Sequence, residues 1–425
     1  MNKIRGARAF AVVFGLAVSV LCAALGAQTP AAPKYKFDSD WPKPLPNKWK
    51  MGGVTGLAVD KDDNVWVLDR PNDLREIELN AEVKLADCCA RPPSMIHIDK
   101  EGNVIGSFDP PQGHGMAVDS KGFVYIGNVV GGKGNVRKYD PKTGKMLAEL
   151  PRAPEMPPGG GGEGGAGGAA GERTPGKGGP GPGGTFPSKP PKPPDAAAVA
   201  AFRAKYPPTT PMIVGGIEEV RLDEPAHELY TADNYLGGRV MVFDLDTFAF
   251  KRGWGAHGHK LSEITTDDKD RDYVPNGPMP KEFRNHLTLN ISKDGLVYAA
   301  DRGANRIDVT TKEGKFVKEF TLAPSTGVPP PPSHPLPNTG KEGSTGGVGF
   351  SVDPQQRFLY ISDLSNNTVW FLNREDGKVV GRLGSMGQNG GQFFGLHMIA
   401  VDSKGVIYTG EVFNGERVQR FNPVN

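Results

Sequence analysis

His397-Met-Ile-Ala-Val-Asp402-Ser-Lys-Gly405, near the C-terminus, repeats almost letter for letter a phrase far upstream, His114-Gly-Met-Ala-Val-Asp119-Ser-Lys-Gly122. A looser copy, His286-Leu-Thr-Leu-Asn-Ile-Ser-Lys-Asp-Gly295, stands between them. Each phrase is an apolar run that ends in an Asp-containing turn. A second run such as Val406-Ile-Tyr-Thr-Gly410 comes next. Short β-branched and aromatic runs broken by Asp-x-x-Gly are antiparallel strands joined by tight turns. The Asp recurs in nearly every copy, so it belongs to the turn chemistry.

Copies without the histidine fill the gaps. Gly56-Leu-Ala-Val-Asp60, Glu219-Val-Arg-Leu-Asp223 and Gly349-Phe-Ser-Val-Asp353 bring the number of repeats to six. Most copies carry a third run, as in Asn135-Val-Arg-Lys-Tyr-Asp140, Arg239-Val-Met-Val-Phe-Asp244 and Arg417-Val-Gln-Arg-Phe421. Repeats of about 40 residues that hold four strands each define a propeller. The expected fold is therefore all-β, a six-bladed β-propeller over residues 35–425. The last repeat stops after its third run. The isolated strand at 35–41 supplies the missing one and closes the ring, which leaves no long open sheet edge.

Two insertions break the pattern. One runs over 151–210, between blades 2 and 3, and its first part, 151–194, holds 27 Gly and Pro among 44 residues. Such a stretch cannot bury a core and is expected to be disordered. A short helix is expected near Ala196–Lys205. A second Pro-rich loop covers 324–345, between blades 4 and 5.

Residues 1–27 read as a secretory signal: Lys3, Arg5 and Arg8, then an apolar run, then small residues around Ala24 to Ala27. The apolar run is short for a membrane span. Leu21 is a poor residue ahead of a lipidated Cys22, which speaks against a lipoprotein. The mature chain is thus expected to be periplasmic or secreted. Taking the signal's three cations from 50 Lys and Arg leaves 47 against 48 Asp and Glu, a net charge of −1. That balance gives no support for nucleic-acid binding. The mature chain keeps only the adjacent Cys88 and Cys89, either a vicinal disulfide or two thiols, and has no Cys-based zinc motif.

In blades 2 and 6 the histidine lies five residues before the turn Asp, and in blade 4 it takes the analogous place. The same slot holds Thr55 in blade 1, Glu218 in blade 3 and Val348 in blade 5. His114, His286 and His397 therefore fall on alternate blades, and sixfold geometry aims them at one axis. Three His with an open fourth position is the layout of a catalytic zinc site. The turns after the second strands overhang the same face and bring Arg70, Tyr235 and Arg302. Arginine grips a carboxylate in a bidentate manner. A Tyr beside a dication serves as a general base. Taken singly, an Asp-Arg pair at a strand end is surface turn chemistry, and His257-Gly-His259 reads as a solvated loop. His97, His227 and His334 read as strand or loop positions.

The stretch Gly391 to Tyr408 resembles the NHL repeat. As a whole the chain resembles the peptidyl-α-hydroxyglycine α-amidating lyases over 54–147 and 212–425. Four segments carry that likeness: His286 to Ile307 with Asp301-Arg302; Tyr230-Thr-Ala-Asp-Asn-Tyr235; Trp66-Val-Leu-Asp-Arg70; and the phrases headed by His114 and His397. The resemblance implies a six-bladed propeller with zinc on His114, His286 and His397. It implies Tyr235, Arg70 and Arg302 as catalytic residues, and cleavage of a peptide-like α-hydroxy C–N bond to an amide and glyoxylate. It also implies a structural calcium on backbone carbonyls, here Val54 and Met116, and on an acid directly after the third His. Met398 stands in that acid's place, and Leu236 replaces the family's Cys after the tyrosine. The alternatives are a non-catalytic propeller that presents its face to a ligand or protein partner, and a different metal-dependent propeller hydrolase.

Overall fold

Each Asp-x-x-Gly turn is built by its aspartate. Asp119 Oδ1 accepts the backbone N–H of Lys121 at 3.0 Å and of Phe123 at 2.9 Å. Asp402 Oδ1 accepts those of Lys404 and Val406, both at 2.9 Å. Asp60 Oδ1 does the same for Asp62 and Asn64, both at 3.0 Å. Glycine completes the turn at Gly122 and Gly405, where φ is 88° and 82°.

These turns connect 24 strands in a computed structural model that describes residues 31–128, 135–150, 195–274, 277–284, 286–322, 345–412 and 415–424. The proposed signal over 1–27, most of the 324–345 loop, residues 151–194 of the insertion, and His334 lie outside them. The chain opens with β1 (Lys34–Asp38). Blade 1 is β2 (Gly53–Val59), β3 (Val65–Arg70), β4 (Met95–Ile98) and β5 (Val104–Phe108). Blade 2 is β6 (Met116–Val118), β7 (Val124–Asn128), β8 (Asn135–Asp140) and β9 (Lys145–Glu149). A helix, α1 (Ala196–Lys205), precedes blade 3, which is β10 (Ile217–Asp223), β11 (Glu228–Asp233), β12 (Arg239–Asp244) and β13 (Phe250–Trp254). Blade 4 is β14 (Leu287–Ile291), β15 (Leu296–Asp301), β16 (Arg306–Thr311) and β17 (Phe316–Thr321). Blade 5 is β18 (Val348–Phe350), β19 (Phe358–Asp363), β20 (Thr368–Asn373) and β21 (Val379–Leu383). Blade 6 is β22 (Leu396–Val401), β23 (Ile407–Glu411) and β24 (Val418–Val424).

Every blade is a four-stranded antiparallel meander, and the sixth takes β1 as its outer strand, in the order β1-β24-β23-β22. In that closure Phe37 pairs with Phe421. The first strands touch one another in a closed circle, β2–β6–β10–β14–β18–β22 and back to β2. The expected six-bladed propeller, closed by an N-terminal strand, is thus the observed fold.

The core is six wedges, one between each pair of neighbouring blades. Val136 and Tyr125 of blade 2, for example, meet Ile217, Val220 and Met241 of blade 3. Met398 and Tyr408 of blade 6 meet Val54 and Leu57 of blade 1. A buried aromatic recurs in the second strand of every blade: Trp66, Tyr125, Tyr230, Tyr298, Tyr360 and Tyr408. Burying a side chain of this size contributes about 1.5–3 kcal/mol. The hydroxyls of Tyr125 and Tyr408 donate to the turn acids Asp119 and Asp402, each at 3.3 Å, so the wedge and the turn support one another.

The insertion over 151–210 is expected to be disordered apart from a short helix near Ala196–Lys205; its end is instead ordered by the packing of α1, which is that helix. Asp195 caps it by accepting from Ala197 N at 3.0 Å. Its Phe202 packs with Val214, Tyr206, Met212 and Leu236. Leu236, which stands where the resembled family has a cysteine, is therefore a packing residue. Among the described residues, no helix is long and apolar enough to cross a membrane.

Candidate functional site

The site is built on acids that end the second strands. Asp69, Asp233 and Asp301 are fully buried. Each accepts backbone N–H groups from the segment that feeds its own blade's first strand. Gly52 N donates to Asp69 at 2.7 Å, Gly215 N to Asp233 at 2.7 Å, and Arg284 N to Asp301 at 3.2 Å. These Asp-Arg and Asp-Asn turns are therefore interior anchors, which corrects the surface-turn reading. The anchors set their next residues, Arg70, Asn234-Tyr235 and Arg302, against the face of the ring.

The histidines are tied down by their neighbours. Arg302 N donates to His286 O at 3.0 Å. Asn234 Oδ1 accepts Leu287 N at 3.1 Å and fixes the strand start after His286 to the turn that carries Tyr235. Asn367 Oδ1 plays the same part for Gly395 and Leu396 ahead of His397, at 2.6 and 3.2 Å. Thr55, the blade 1 residue of the histidine slot, donates its hydroxyl to Gly113 O at 2.8 Å and steadies the approach to His114.

His114, His286 and His397 are all buried. The rings of His114 and His397 lie 4.9 Å apart, nearly perpendicular. Glu218, the blade 3 residue of the same slot, links the others. Its Oε1 accepts His286 Nδ1 at 2.5 Å and the Tyr235 hydroxyl at 2.9 Å. Its backbone carbonyl accepts His114 Nδ1 at 2.9 Å. The Tyr235 and His286 rings stand 5.4 Å apart, edge to face. Tyr235 adopts a left-handed backbone, φ 54°, and its carbonyl accepts Arg271 Nη1 at 2.7 Å. A non-glycine residue held in that conformation is over-determined by its surroundings, a pattern common at functional sites.

The charges act through the same contacts. Burial opposes ionisation of Glu218, but His286, His114 and Arg302 outweigh it and hold the carboxyl well below its ordinary value. Burial, reinforced by His114, Arg302 and Arg70, keeps the His397 ring neutral far below the usual imidazole range. Arg302 is 3% exposed, and its Nε and Nη2 have no hydrogen-bond partner among the described residues.

Zinc fits this donor set. Metals bind the neutral imidazole, and ligating histidines commonly give their other N–H to a carboxylate or backbone carbonyl. His286 and His114 do so, and the buried Nδ1 of His397 has no hydrogen-bond partner among the described residues. Among the described residues, no three His, Cys, Asp or Glu side chains already stand together as a coordination sphere. Calcium does not fit. The Met116 carbonyl, expected with Val54 as a donor, accepts Arg221 Nη1 at 3.2 Å, and Arg221 in turn pairs with Glu219 at 2.8 Å. A guanidinium already stands at that carbonyl, and the acid after the third His is replaced by the buried Met398.

The remaining histidines among the described residues have local partners. His257 meets Glu319 at 2.8 Å and His259 meets Glu282 at 3.4 Å. His97 stacks on Trp66 at 3.8 Å and bonds Asp60 at 3.0 Å, and the exposed His227 pairs with Asp246 at 3.2 Å. Cys88 and Cys89 form a vicinal disulfide.

Two buried acids predict a pH trend. Burial raises Glu219 and Glu416 from 4.5 to about 7, against the pull of Arg221 and Lys50. Between those values the folded state binds more protons than the unfolded one, so stability falls as pH rises. The contribution is complete below about pH 4.5 and gone above about 7. The unfolding midpoint of Glu416→Gln, measured from pH 5 to 8, should fall less steeply than that of the parent. Parallel curves would exclude Glu416 as a source of the slope.

Fold and site together define a six-bladed β-propeller with a polar cluster of three His, one Tyr, one Glu and a buried Arg. No protein-family model and no curated protein matches the sequence. Among solved structures, the chain is similar to selenomethionine-substituted virginiamycin B lyase from Staphylococcus aureus. That match has 11% identity over 92% of this chain and 89% of that one, with a TM-score of 0.41. It is also similar to a structural-genomics protein of unknown function from Bacteroides thetaiotaomicron, with 15% identity over 93% and 77% and a TM-score of 0.49.

Proposed function

We propose that the protein is an exported zinc-dependent lyase that cleaves the C–N bond of a peptidyl-α-hydroxyglycine-like compound, releasing an amide and glyoxylate. One observation carries this reading. Glu218 bonds His114, His286 and Tyr235 together, while His397 lies against His114 and Arg302 is bonded to the His286 backbone.

Zinc held by His114, His286 and His397 would supply Lewis acidity toward the substrate's α-hydroxyl. Arg302 offers two buried nitrogens that lack an acceptor among the described residues, which suits a substrate carboxylate, and Arg70 adds positive charge on the same side. Tyr235 takes the hydroxyl proton. Its oxygen is held by a 2.9 Å hydrogen bond to Glu218, and a dication bound at the histidines would favour the phenolate that accepts this proton. As the C=O bond forms, the C–N electron pair leaves on the amide nitrogen. That nitrogen is reprotonated by Tyr235, so the net proton transfer is from oxygen to nitrogen.

Zinc content and glyoxylate release test the proposal together. About one zinc per mature chain, and glyoxylate formed from an α-hydroxyglycine compound, are expected. Tyr235→Phe should lower the rate about 10²–10⁴-fold, the span of a lost acid–base group. A chain without bound zinc would end the lyase reading. It would favour the alternative, a propeller that binds a small molecule, peptide or protein partner at its face, in keeping with the lack of a ready coordination sphere among the described residues.

A further inference from the structure

Glu218 offers the site two acceptors of different kinds. Its backbone carbonyl takes His114 Nδ1 at 2.9 Å, and its side-chain Oε1 takes His286 Nδ1 at 2.5 Å. Neither a carbonyl nor a carboxylate oxygen can donate, so each Nδ1 must carry a hydrogen. In the neutral ring the lone pair then lies on Nε2. One residue thereby sets the same tautomer in two histidines from two other blades. The approach is close by construction. Gly115, directly after His114, has φ 69°, and a Cβ there would come within 2.5 Å of Glu218 O. The same Oε1 accepts the Tyr235 hydroxyl at 2.9 Å, which fixes the phenol beside His286.

We infer that Glu218 is a positioning residue that locks His114 and His286 in the Nδ1–H tautomer, so that both present Nε2 to a divalent transition metal with Tyr235 held beside them. The metal part of this inference rests on the reading given above. The tautomer part stands on the metal-free protein alone. Loss of such an outer carboxylate typically costs 10–100-fold in metal affinity. Glutamine keeps an acceptor oxygen at the same reach, whereas alanine and aspartate withdraw it.

Two measurements on the full mature chain decide the matter. In metal-free, ¹⁵N-labelled protein at neutral pH, long-range ¹H–¹⁵N spectra should show His286 as the Nδ1–H tautomer. Glu218→Ala should release it, Glu218→Gln should keep it, and His114 should stay locked in all three. Calorimetric titration with zinc should then give about 10–100-fold weaker binding for Glu218→Ala and a smaller loss for Glu218→Gln. If the alanine variant does not fold, Glu218→Asp takes its place in both measurements. An unchanged His286 tautomer without the Glu218 carboxylate, or a glutamine variant as disturbed as alanine, overturns the inference. If the parent binds no zinc, the lyase reading falls, and the tautomer spectra still decide whether the Glu218 carboxylate sets the His286 ring.

Discussion

Arg302→Met is expected to melt at a higher temperature than the parent protein and to release glyoxylate about 10²–10³-fold more slowly, as when a buried donor to reacting charge is removed. The two effects share a cause. Arg302 is almost wholly buried, and two of its nitrogens lack a hydrogen-bond partner among the described residues. A buried polar group left in that state costs about 1–3 kcal/mol, and more when charged. Methionine has similar length and no such requirement, and Glu218 keeps the attraction of His286 and His114, so relief of this cost outweighs the lost attraction and the metal-free fold gains. The backbone bond from residue 302 to His286 O is untouched, so the histidine keeps its place. What is lost is the fork that would grip a carboxylate. Arg302→Lys keeps the charge without the fork and should restore only part of the rate. Thermal unfolding and a glyoxylate assay on the same preparations provide the check. A Met variant that melts lower would show that the guanidinium supports the fold.

Much of this architecture is legible in the sequence because it is local. The Val-Asp-x-x-Gly phrase fixes two strands and a turn within a dozen residues, and its recurrence sets the number of blades. The missing fourth strand after Arg417-Val-Gln-Arg-Phe421 points to an N-terminal partner, which β1 supplies. The site is half legible. Alternate-blade histidines can be counted along the chain, and so can the slot that Glu218 occupies. Its role cannot be read there, because its partners His286 and His114 lie 68 and 104 residues away and meet it only once the ring has closed. Arg221 at the Met116 carbonyl spans 105 residues in the same way. The strand-end aspartates mislead for a related reason. Asp-Arg reads as turn chemistry until packing shows that the acid points inward and only the residue after it reaches the site.

That inward acid is also where the fold is most exposed to mutation. Asp301 and Arg306 are both fully buried. Arg306 Nε and Nη2 donate to Asp301 Oδ2 at 3.1 and 3.0 Å, and the same guanidinium satisfies Pro280 O at 2.7 Å and Glu282 O at 2.8 Å. Arg239 with Asp233 and Arg417 with Glu411 repeat the arrangement in blades 3 and 6. Arg306→Ala should therefore cost about 3–5 kcal/mol, because it strands a buried carboxylate. The same stranded charge fixes the sign of its pH dependence. Burial already raises Asp301 above the ordinary aspartate value, opposed chiefly by Arg306. Without Arg306 that value climbs further, so the folded variant binds a proton that the unfolded chain releases. Its deficit should be smallest at acidic pH and widen as pH rises through the neutral range. The pair replaced together, Asp301→Asn with Arg306→Met, should recover most of the loss, since no buried charge remains unmatched. Urea unfolding at pH 5 and pH 8 separates the cases. A double variant no more stable than Arg306→Ala would mean that the lost bonds to Pro280 and Glu282, rather than the stranded charge, dominate. In that event the arginine acts mainly as a clasp on the segment that leads through Arg284 to His286.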